Sequence, residues 1–488
     1  MSMRRIPALL MLVILLGSLL AACGAPTTTT SGSQTTTAAT TVTTGGGAAT
    51  TTGATTAATT GAGATTAATT AATTGAGAAT AATTGAGATT AAGTTTAAAT
   101  TTAAGTTTAA GTAAPLPNVS SLNLPTLKIA SQSPLSGEQS ALGTGIRNGA
   151  ELAVAQLAPK LGLKIELVAK DDQALPDVGA SNANALASDQ NILCVDGHLN
   201  SGVTRAALPT YKNAGLVMVS PANTNPHVTD DFVGTAFRLV GRDDVQGVVG
   251  EKFAKDTLKV KSVYILHDKT DYGQGIAEVF RQTAQKDGLD VKDFQGTEEK
   301  SVFDPILTPI LAAQPDLVYF GGIYSQGGPL LKQMRDKGIQ AAFMMPDGID
   351  SPDFVKLAGD AAPGVRYTTT AGPPSQFPAA AQMSKDYQAK YNAPAPPYSP
   401  QAYDAAGICM TAIAKAAQTA NGKPTRQQVA DAMKTLGTYA GVTGNIKFNE
   451  KGDRVPATYF IQEVKSADPS KWTSNLIVQR LELEPPKK

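Results

Sequence analysis

From residue 127 onward, short apolar runs alternate with longer amphipathic stretches, and this alternation constrains the fold more than any other feature of the chain. The apolar run 127–130 is followed by a helical pattern over 142–157, and similar pairs recur to about residue 345. Strands that alternate with helices in this way form mostly parallel sheets covered by helices. A break near Gly241 separates two sets of these units. The sequence therefore predicts an α/β fold with two doubly wound, Rossmann-like lobes.

The segment after residue 370 follows a different order, because several helical patterns come without strands between them and two β-like runs follow. We expect these helices, among them 401–419, to return to the first lobe and the last strands to join the second. The chain would then cross between the lobes three times and form a three-stranded hinge that permits bending. The expected crossings lie near 240–243, 369–372 and 440–444. The predicted domains are 1–22, a signal peptide; 23–124, a lipidated cysteine and a tether; 125–241 plus 371–441, lobe 1; and 242–370 plus 442–488, lobe 2.

The first quarter of the chain has a composition that cannot build a core. Residues 27–114 contain only Thr, Ala, Gly and Ser apart from Gln34 and Val42, so we expect a disordered tether with ends on the order of 50 Å apart. A glycosylated stalk and a partly helical spacer are equally compatible with this composition. Before it, an apolar run too short for a membrane span ends in Leu-Ala-Ala-Cys, which resembles the lipobox of bacterial lipoproteins. The resemblance implies cleavage before Cys23, lipidation of that cysteine, and an extracytoplasmic protein anchored to the membrane.

Charge and the reactive residue types exclude several classes of function. The formal net charge is +1, without a basic patch for nucleic acid. Cys194 falls in a predicted buried strand and Cys409 in a predicted helix, so we expect two core thiols and no disulfide. The histidines, His198, His227 and His267, lie in separate loops without the spacing of a metal site, and we expect them to anchor loops. The sequence therefore predicts neither a metal nor a catalytic cofactor.

Two loops that follow neighbouring predicted strands carry small hydroxyl side chains. We expect Ser201 to cap a helix that reaches about residue 213, and Ala222, Asn223 and Thr224 follow the next strand. Because parallel strands present their exit loops at one edge of a sheet, we expect these residues to converge. The free N–H groups of a helix start, with two hydroxyls, suit a small carboxylate. A simple helix cap and an ordinary turn fit the same pattern equally well.

A glycine run invites a different interpretation. Gly143, Gly145 and Gly149 form a GxGxxxG pattern at a predicted helix start, and Asp171 ends the second predicted strand, as in dinucleotide-dependent oxidoreductases. The fingerprint of that class places its first glycine directly after the first strand, whereas about a dozen residues intervene here. We therefore expect no nicotinamide or flavin cofactor and no enzymatic activity.

Six segments, in order, carry a resemblance to a known family: GHLNSGVT, SPANTNP, LHDKTDYGQGIAE, VYFGGIYSQGG, MMPDGI and NEKGD. Over residues 127–464 the chain resembles the branched-chain amino-acid-binding proteins, which are the type I solute-binding components of ABC importers. The resemblance implies a two-lobed clamp that closes on a free amino acid, or a similar small molecule, outside the cytoplasm. It also implies delivery to a membrane permease with its ATPase subunits. The same clamp could instead serve as a sensor for a signalling partner.

The resemblance also assigns roles to individual residues. It implies that Ser201 and Thr224 bind the ligand's carboxylate with nearby backbone N–H groups. It implies that the Ala222 carbonyl, the Thr224 hydroxyl and Asp347 bind the ammonium, and that Tyr272 closes over the ligand from the second lobe. A zwitterion that leaves water needs donors at one end and a counter-charge at the other. The remaining implied ligand-binding residues are Asn223, Tyr324, Leu142, Ile323 and Tyr403.

Departures from the family pattern concern the ligand's identity. Asp347 stands where the leucine-binding members have glutamate, so its carboxylate is one methylene shorter. Ile323 and Leu142 stand where those members have aromatic residues, although Tyr324 is adjacent and could substitute. The general binding mode stays intact, but the particular amino acid is left open.

Overall fold

A computed structural model of the chain describes residues 116–486. The expected signal peptide, Cys23 and the tether lie outside the described residues. Within the described range, none of the helices is both apolar and long enough to cross a membrane. All the described α-helices and strands lie in the part of the chain in which the two lobes were expected.

The first sheet is entirely parallel, with strand order β2-β1-β3-β4-β5. Its strands are β1 (Leu127–Ser133), β2 (Ile165–Asp171), β3 (Ile192–Gly197), β4 (Val217–Ser220) and β5 (Ala236–Arg238). The connecting helices are α1 (Ser140–Leu161), α2 (Pro176–Ser188), α3 (Ser201–Asn213) and the short α4 (His227–Asp230). We call this sheet and the helices packed on it lobe 1.

The second sheet has the order β14-β13-β10-β9-β8-β6-β7 and is parallel except where β13 and β14 add antiparallel strands. We call this sheet with its helices lobe 2. It begins with α5 (Asp243–Asp256), β6 (Ser262–His267), α6 (Asp271–Lys286), β7 (Asp290–Gly296) and α7 (Asp304–Ala313). It continues with β8 (Leu317–Gly321), α8 (Tyr324–Asp336), β9 (Ala342–Met345), α9 (Asp353–Ala358), β10 (Arg366–Thr369), and later β13 (Ala457–Glu463) and β14 (Leu476–Leu483). The expected fold class, two doubly wound α/β lobes, is confirmed.

The segment between β10 and β13 contains α10 (Ala380–Tyr391), α11 (Ser399–Ala420), α12 (Arg426–Lys434) and a small hairpin of β11 (Tyr439–Gly441) and β12 (Gly444–Ile446). Side chains from these elements share one hydrophobic core with α1 and the lobe 1 sheet. The third crossing to lobe 2 lies later than the expected 440–444, because Ile446 and Phe448 still pack against the lobe 1 core. The chain therefore crosses between Phe448 and β13.

The glycine run of α1 serves helix packing. A Cβ atom on Gly149 would lie 2.3 Å from the Ser399 carbonyl oxygen, and one on Gly145 would lie 2.8 Å from the Ser399 hydroxyl. A Cβ atom on Gly143 would lie 1.9 Å from the Pro134 carbonyl oxygen. Only glycine permits α1 to approach α11, and the loop that precedes α1, this closely. The run therefore has a structural explanation that needs no dinucleotide.

The expectation of two separate core thiols was wrong, because Cys194 and Cys409 form a disulfide with their Cα atoms 5.8 Å apart. Both cysteines are fully buried, as expected for core residues. Cys194 belongs to β3 and Cys409 to α11, and 215 positions separate them in sequence. The disulfide joins α11 to the lobe 1 sheet. Neither segment, taken alone, has a sequence feature that indicates this contact.

Candidate functional site

A cavity lies between the lobes at the edge where the lobe 1 strands end. Its lining comes from both lobes and from the connection that leads into α11. The lining residues are Leu142, Leu199, Asn200, Ser201, Ala222, Thr224, Tyr272, Ile323, Asp347, Gly348 and Tyr398. An outer cavity of about 800 Å³ adjoins it and shares Asn200, Ser201, Tyr272 and Ile323 with it. We call Ser201, Ala222 and Thr224 the lobe 1 wall, and Tyr272, Ile323 and Asp347 the lobe 2 wall.

The start of α3 gives the lobe 1 wall its first donors. The helix runs from Ser201, and Asn200, not Ser201 as expected, takes the capping position without a side-chain hydrogen bond. The first hydrogen bond of the helix runs from the Thr204 N–H to the Asn200 carbonyl (3.0 Å). The N–H groups of Ser201, Gly202 and Val203 have no acceptor among residues 116–486. Free N–H groups and the helix dipole together favour an anion at this position.

The 221–226 loop, between β4 and α4, supplies the second part of that wall. The Ser220 hydroxyl accepts the Asn223 N–H (2.9 Å) and donates to the Asn223 side-chain oxygen (2.7 Å). That oxygen also accepts the Thr204 hydroxyl (2.8 Å), and the Asn223 amide donates to the Leu199 carbonyl (3.0 Å). Asn223 therefore fixes the loop to the start of α3 and does not line the cavity, in contrast to its expected ligand contact.

Asp347 is the acidic group of the lobe 2 wall and lies at the hinge. Its Oδ1 accepts the Tyr272 hydroxyl (2.7 Å) and the Gln246 amide (3.0 Å). Its Oδ2 accepts the Tyr398 hydroxyl (3.0 Å) and the Thr370 hydroxyl (3.4 Å). Burial raises the pKa of Asp347, and the bonds from Tyr272, Gln246 and Tyr398 limit that rise. The carboxylate is therefore held in one orientation by donors from four different segments.

A second carboxyl group, which the sequence did not point out, lies buried near Asp347. Asp243 begins α5, one turn before Gln246, and neither of its carboxyl oxygens has a hydrogen-bond partner within the described residues. Burial and the charge of Asp347 raise the pKa of Asp243 well above its usual range, while the nearby Thr224 hydroxyl acts in the opposite direction. Asp243 lies beside the lobe 1 wall, because its N–H donates to the Thr224 carbonyl (2.9 Å), so two buried carboxyl groups lie next to the cavity.

Two predicted tyrosines lie elsewhere. The prediction for Tyr403 was wrong: its hydroxyl donates to Gln156 (2.8 Å), and its ring packs in the lobe 1 core. Tyr398, at the end of the connection before α11, lines the cavity in place of Tyr403, and its hydroxyl donates to Asp347. Tyr324 does not line the cavity; its hydroxyl donates to the Glu138 carbonyl of lobe 1 at the rim of the cleft.

Several contacts join the lobes across the rim of the cleft. Arg205 of α3 pairs with Asp271 at the start of α6 (2.8 Å), and the Asn225 amide donates to the Asp271 carbonyl (2.7 Å). Glu138 of lobe 1 accepts from Ser325 (3.0 Å) and pairs with Lys300 (3.3 Å), both of lobe 2. The lobes are therefore closed on each other at the rim.

The geometry defines a class: a two-lobed α/β binding protein with its site in a hinged cleft. The model of the family described as "Periplasmic binding protein" matches residues 126–469. The chain belongs to this family.

Individual relatives agree with that assignment. The chain is 34% identical over 343 residues to Leu/Ile/Val-binding protein homolog 1 of Brucella abortus, covering 69% of this chain and 90% of the relative. It is 32% identical to the leucine-, isoleucine-, valine-, threonine- and alanine-binding protein of Pseudomonas aeruginosa, covering 68% of this chain and 88% of that protein. The crystal structure of a leucine-binding protein from Thermotoga maritima superposes with a TM-score of 0.66 at 25% identity, covering 73% of this chain and 98% of that one.

Proposed function

We propose that this protein is the extracytoplasmic binding component of an ABC importer and that it captures a free α-amino acid with a small aliphatic side chain. One observation carries the proposal: N–H donors of the lobe 1 wall that have no acceptor among residues 116–486 line the same cavity as the buried Asp347. The names of the relatives from Brucella and Pseudomonas support the same ligand class.

The two ends of an amino acid match the two ends of this cavity. A carboxylate needs hydrogen-bond donors when it leaves water, and Ser201 and Thr224 offer hydroxyl and N–H donors. An ammonium needs acceptors, and the Ala222 carbonyl with the Asp347 carboxylate would supply them. Leu142, Leu199 and Ile323 add aliphatic surface to the same cavity, which suits an aliphatic side chain.

Closure would follow from the same arrangement. A ligand that contacts both walls binds the closed form more tightly than the open form, so it shifts the population toward closure. The protein would thus act by binding and delivery, without chemistry of its own, and a permease with ATPase subunits would supply the transport.

A titration calorimetry series tests the ligand class. We expect L-leucine, L-isoleucine, L-valine, L-threonine or L-alanine to bind. L-Leucinamide, which lacks the carboxylate, and 4-methylpentanoate, which lacks the ammonium, should each bind much more weakly than L-leucine. Equal binding of leucine and both analogues would contradict the proposed two-ended site, and absence of binding by all five amino acids would contradict the ligand class.

The anchoring at Cys23 is a further part of the proposal. The Leu-Ala-Ala-Cys segment and the Thr/Ala/Gly tract that follows suggest a lipid-anchored globule held away from the membrane. In cells, Cys23→Ser should move the protein from the membrane fraction to the soluble fraction. Membrane-bound protein that still carries Met1 would contradict this anchoring.

A further inference from the structure

Arg238 is a fully buried arginine behind the 221–226 loop, at the end of β5. Its Nε donates to Asp453 Oδ1 (2.8 Å), and its Nη2 donates to the Thr229 hydroxyl. Its Nη1 donates to two backbone carbonyls of the loop, those of Asn223 (3.3 Å) and Asn225 (2.9 Å). Burying a charge costs several kcal/mol unless all its donors are matched, so the loop conformation and this arginine depend on each other.

The two carbonyls that Arg238 holds flank Thr224. In a trans peptide the C=O and N–H groups point in opposite directions. Because the Asn223 carbonyl points back to the buried guanidinium, the Thr224 N–H of the same peptide unit points away from it. That N–H has no acceptor among the described residues, and Thr224 lines the cavity.

We propose that Arg238 is a positioning residue that fixes the Thr224 peptide so that its N–H is presented to the carboxylate of the ligand. The inference rests on the proposed amino-acid site and adds a determinant of its affinity that does not touch the ligand. Lysine cannot replace it, because a single ammonium lacks the planar fork that reaches Asp453, Thr229 and two carbonyls together.

The hinge braces this arginine from the other side. Asp453, on the third crossing, also accepts from the Thr229 hydroxyl (2.8 Å) and from Arg242 of the first crossing (2.9 Å). The Arg238 N–H donates to the Gly452 carbonyl (2.9 Å). Gly452 has φ +97°, and a Cβ atom there would lie 2.3 Å from the Ala236 carbonyl oxygen, so only glycine lets the crossing approach β5 this closely. The orientation of the ligand loop is therefore tied to two of the three hinge crossings.

A matched pair of substitutions tests the proposal. Arg238→Lys should weaken L-leucine binding about 10- to 100-fold in calorimetry, since one charge-assisted bond to the carboxylate is misdirected. Arg426→Lys is the control, because Arg426 is also buried in lobe 1 and donates to backbone carbonyls, those of Ile192 and Asp189 among them, but does not line the cavity. It should lower the melting temperature and leave the affinity within about twofold of the wild type.

The NMR chemical shift of the Thr224 amide proton distinguishes the positioning role from a general loss of stability, which would not change that shift. In the wild type, L-leucine should shift its NMR resonance downfield, whereas in Arg238→Lys this shift should be lost while that of Ser201 remains. If Arg238→Lys does not fold, Thr229→Val, which removes one partner of Arg238, should weaken binding about 3- to 10-fold.

The outcomes separate this inference from the proposed function. Wild-type protein that binds leucine, with Arg238→Lys or Thr229→Val binding equally well, overturns the positioning role alone. An unchanged Thr224 shift in a folded, weakened Arg238→Lys protein also overturns it. Wild-type protein that binds none of the amino acids overturns the proposed function, and the positioning role with it.

Discussion

The two walls of the cleft present different groups to the cavity. The lobe 1 wall is largely backbone: its N–H groups at the start of α3 and at Thr224 are left without acceptors in the described part of the chain. The lobe 2 wall relies on the side chain of Asp347, which four donors already hold. One wall thus has donors without acceptors among the described residues, whereas the other is a buried carboxyl group whose orientation is already fixed by hydrogen bonds.

This difference suggests a division of labour between the lobes. Lobe 1 is fixed from behind by Asn223 and by Arg238, so its donors are oriented without a ligand. Preorganised donors raise affinity because less order has to be imposed on binding. In the proposed site, lobe 2 would supply the counter-charge that selects an ammonium. The ion pairs between the lobes at the rim, Arg205–Asp271 and Lys300–Glu138, are exposed, and exposed pairs contribute little individually.

The largest effect should come from the lobe 2 charge. Asp347→Asn should weaken L-leucine binding by about 3–5 kcal/mol, because the ammonium loses its buried partner. Binding of 4-methylpentanoate, which has no ammonium, should be spared. Asp350→Asn is the control, since Asp350 is buried nearby but bonds to Trp472 and Thr369. Calorimetry that gives equal losses for both ligands would show that Asp347 does not read the ammonium.

The pH dependence of binding should report the same charge. Burial raises the pKa of Asp347, so its carboxylate becomes protonated at a higher pH than an exposed aspartate does. Affinity for L-leucine should therefore fall as the pH is lowered through that raised pKa, and the fall should disappear in Asp347→Asn. A pH profile that is the same in both proteins would contradict this prediction.

Removal of the disulfide should separate stability from recognition. Replacing both Cys194 and Cys409 by alanine should lower the free energy of unfolding by about 2–5 kcal/mol, because the long loop they close regains entropy when the chain unfolds. The affinity for leucine should stay within about twofold, since neither residue lines the cavity. Denaturation and calorimetry on the same preparation measure both, and a large loss of affinity would mean that the disulfide shapes the site.

The lobe 1 hydroxyls should have a smaller effect. Ser201→Ala and Thr224→Ala should each cost about 1–3 kcal/mol of binding free energy, because each loses one charge-assisted bond while the backbone donors remain. For Ser201→Ala the loss should be the same for leucine and for 4-methylpentanoate, in contrast to Asp347→Asn. Unchanged calorimetric affinity in both variants would remove the hydroxyls from the carboxylate site.

The smallest effect should come from the rim. The side chains of Arg205 and Asp271, which form an ion pair, are 35% and 43% exposed. Arg205→Ala removes this pair and should weaken leucine binding by about 0.2–1 kcal/mol at low salt. The difference from the wild type should shrink as salt is added, because exposed pairs are screened. A salt-independent loss above about 2 kcal/mol would place the rim among the main determinants of closure.

Local chemistry made part of the site predictable. The start of α3 was predicted to within one residue, because a small polar residue after a short apolar strand is a local signal for a helix start, although Asn200 and not Ser201 takes the capping position. The convergence of Ser201 with Thr224 follows from the shared edge of parallel strands, which the alternating pattern already indicates. Asp347 and Tyr272 were predicted as ligand-binding residues from the family resemblance, and both line the same cavity. Neither segment alone indicates a ligand-binding residue.

Features that depend on distant contacts could not be predicted in this way. Helix α8 begins at Tyr324 and includes Gly327 and Gly328, which resemble loop residues in sequence but allow close packing on Met345 and Leu357. The edge strand β14 has mixed exposure and carries no regular apolar pattern, so the sequence does not predict it. The disulfide, the buried Asp243 and the choice of Tyr398 over Tyr403 all depend on where α11 and α5 pack.

A crystal structure of the protein with L-leucine tests the central claim most directly. The carboxylate should accept hydrogen bonds from the Ser201 hydroxyl and the Thr224 N–H, with the ammonium beside the Ala222 carbonyl and Asp347. A leucine bound in the reverse orientation, or bound outside this cavity, would contradict the account.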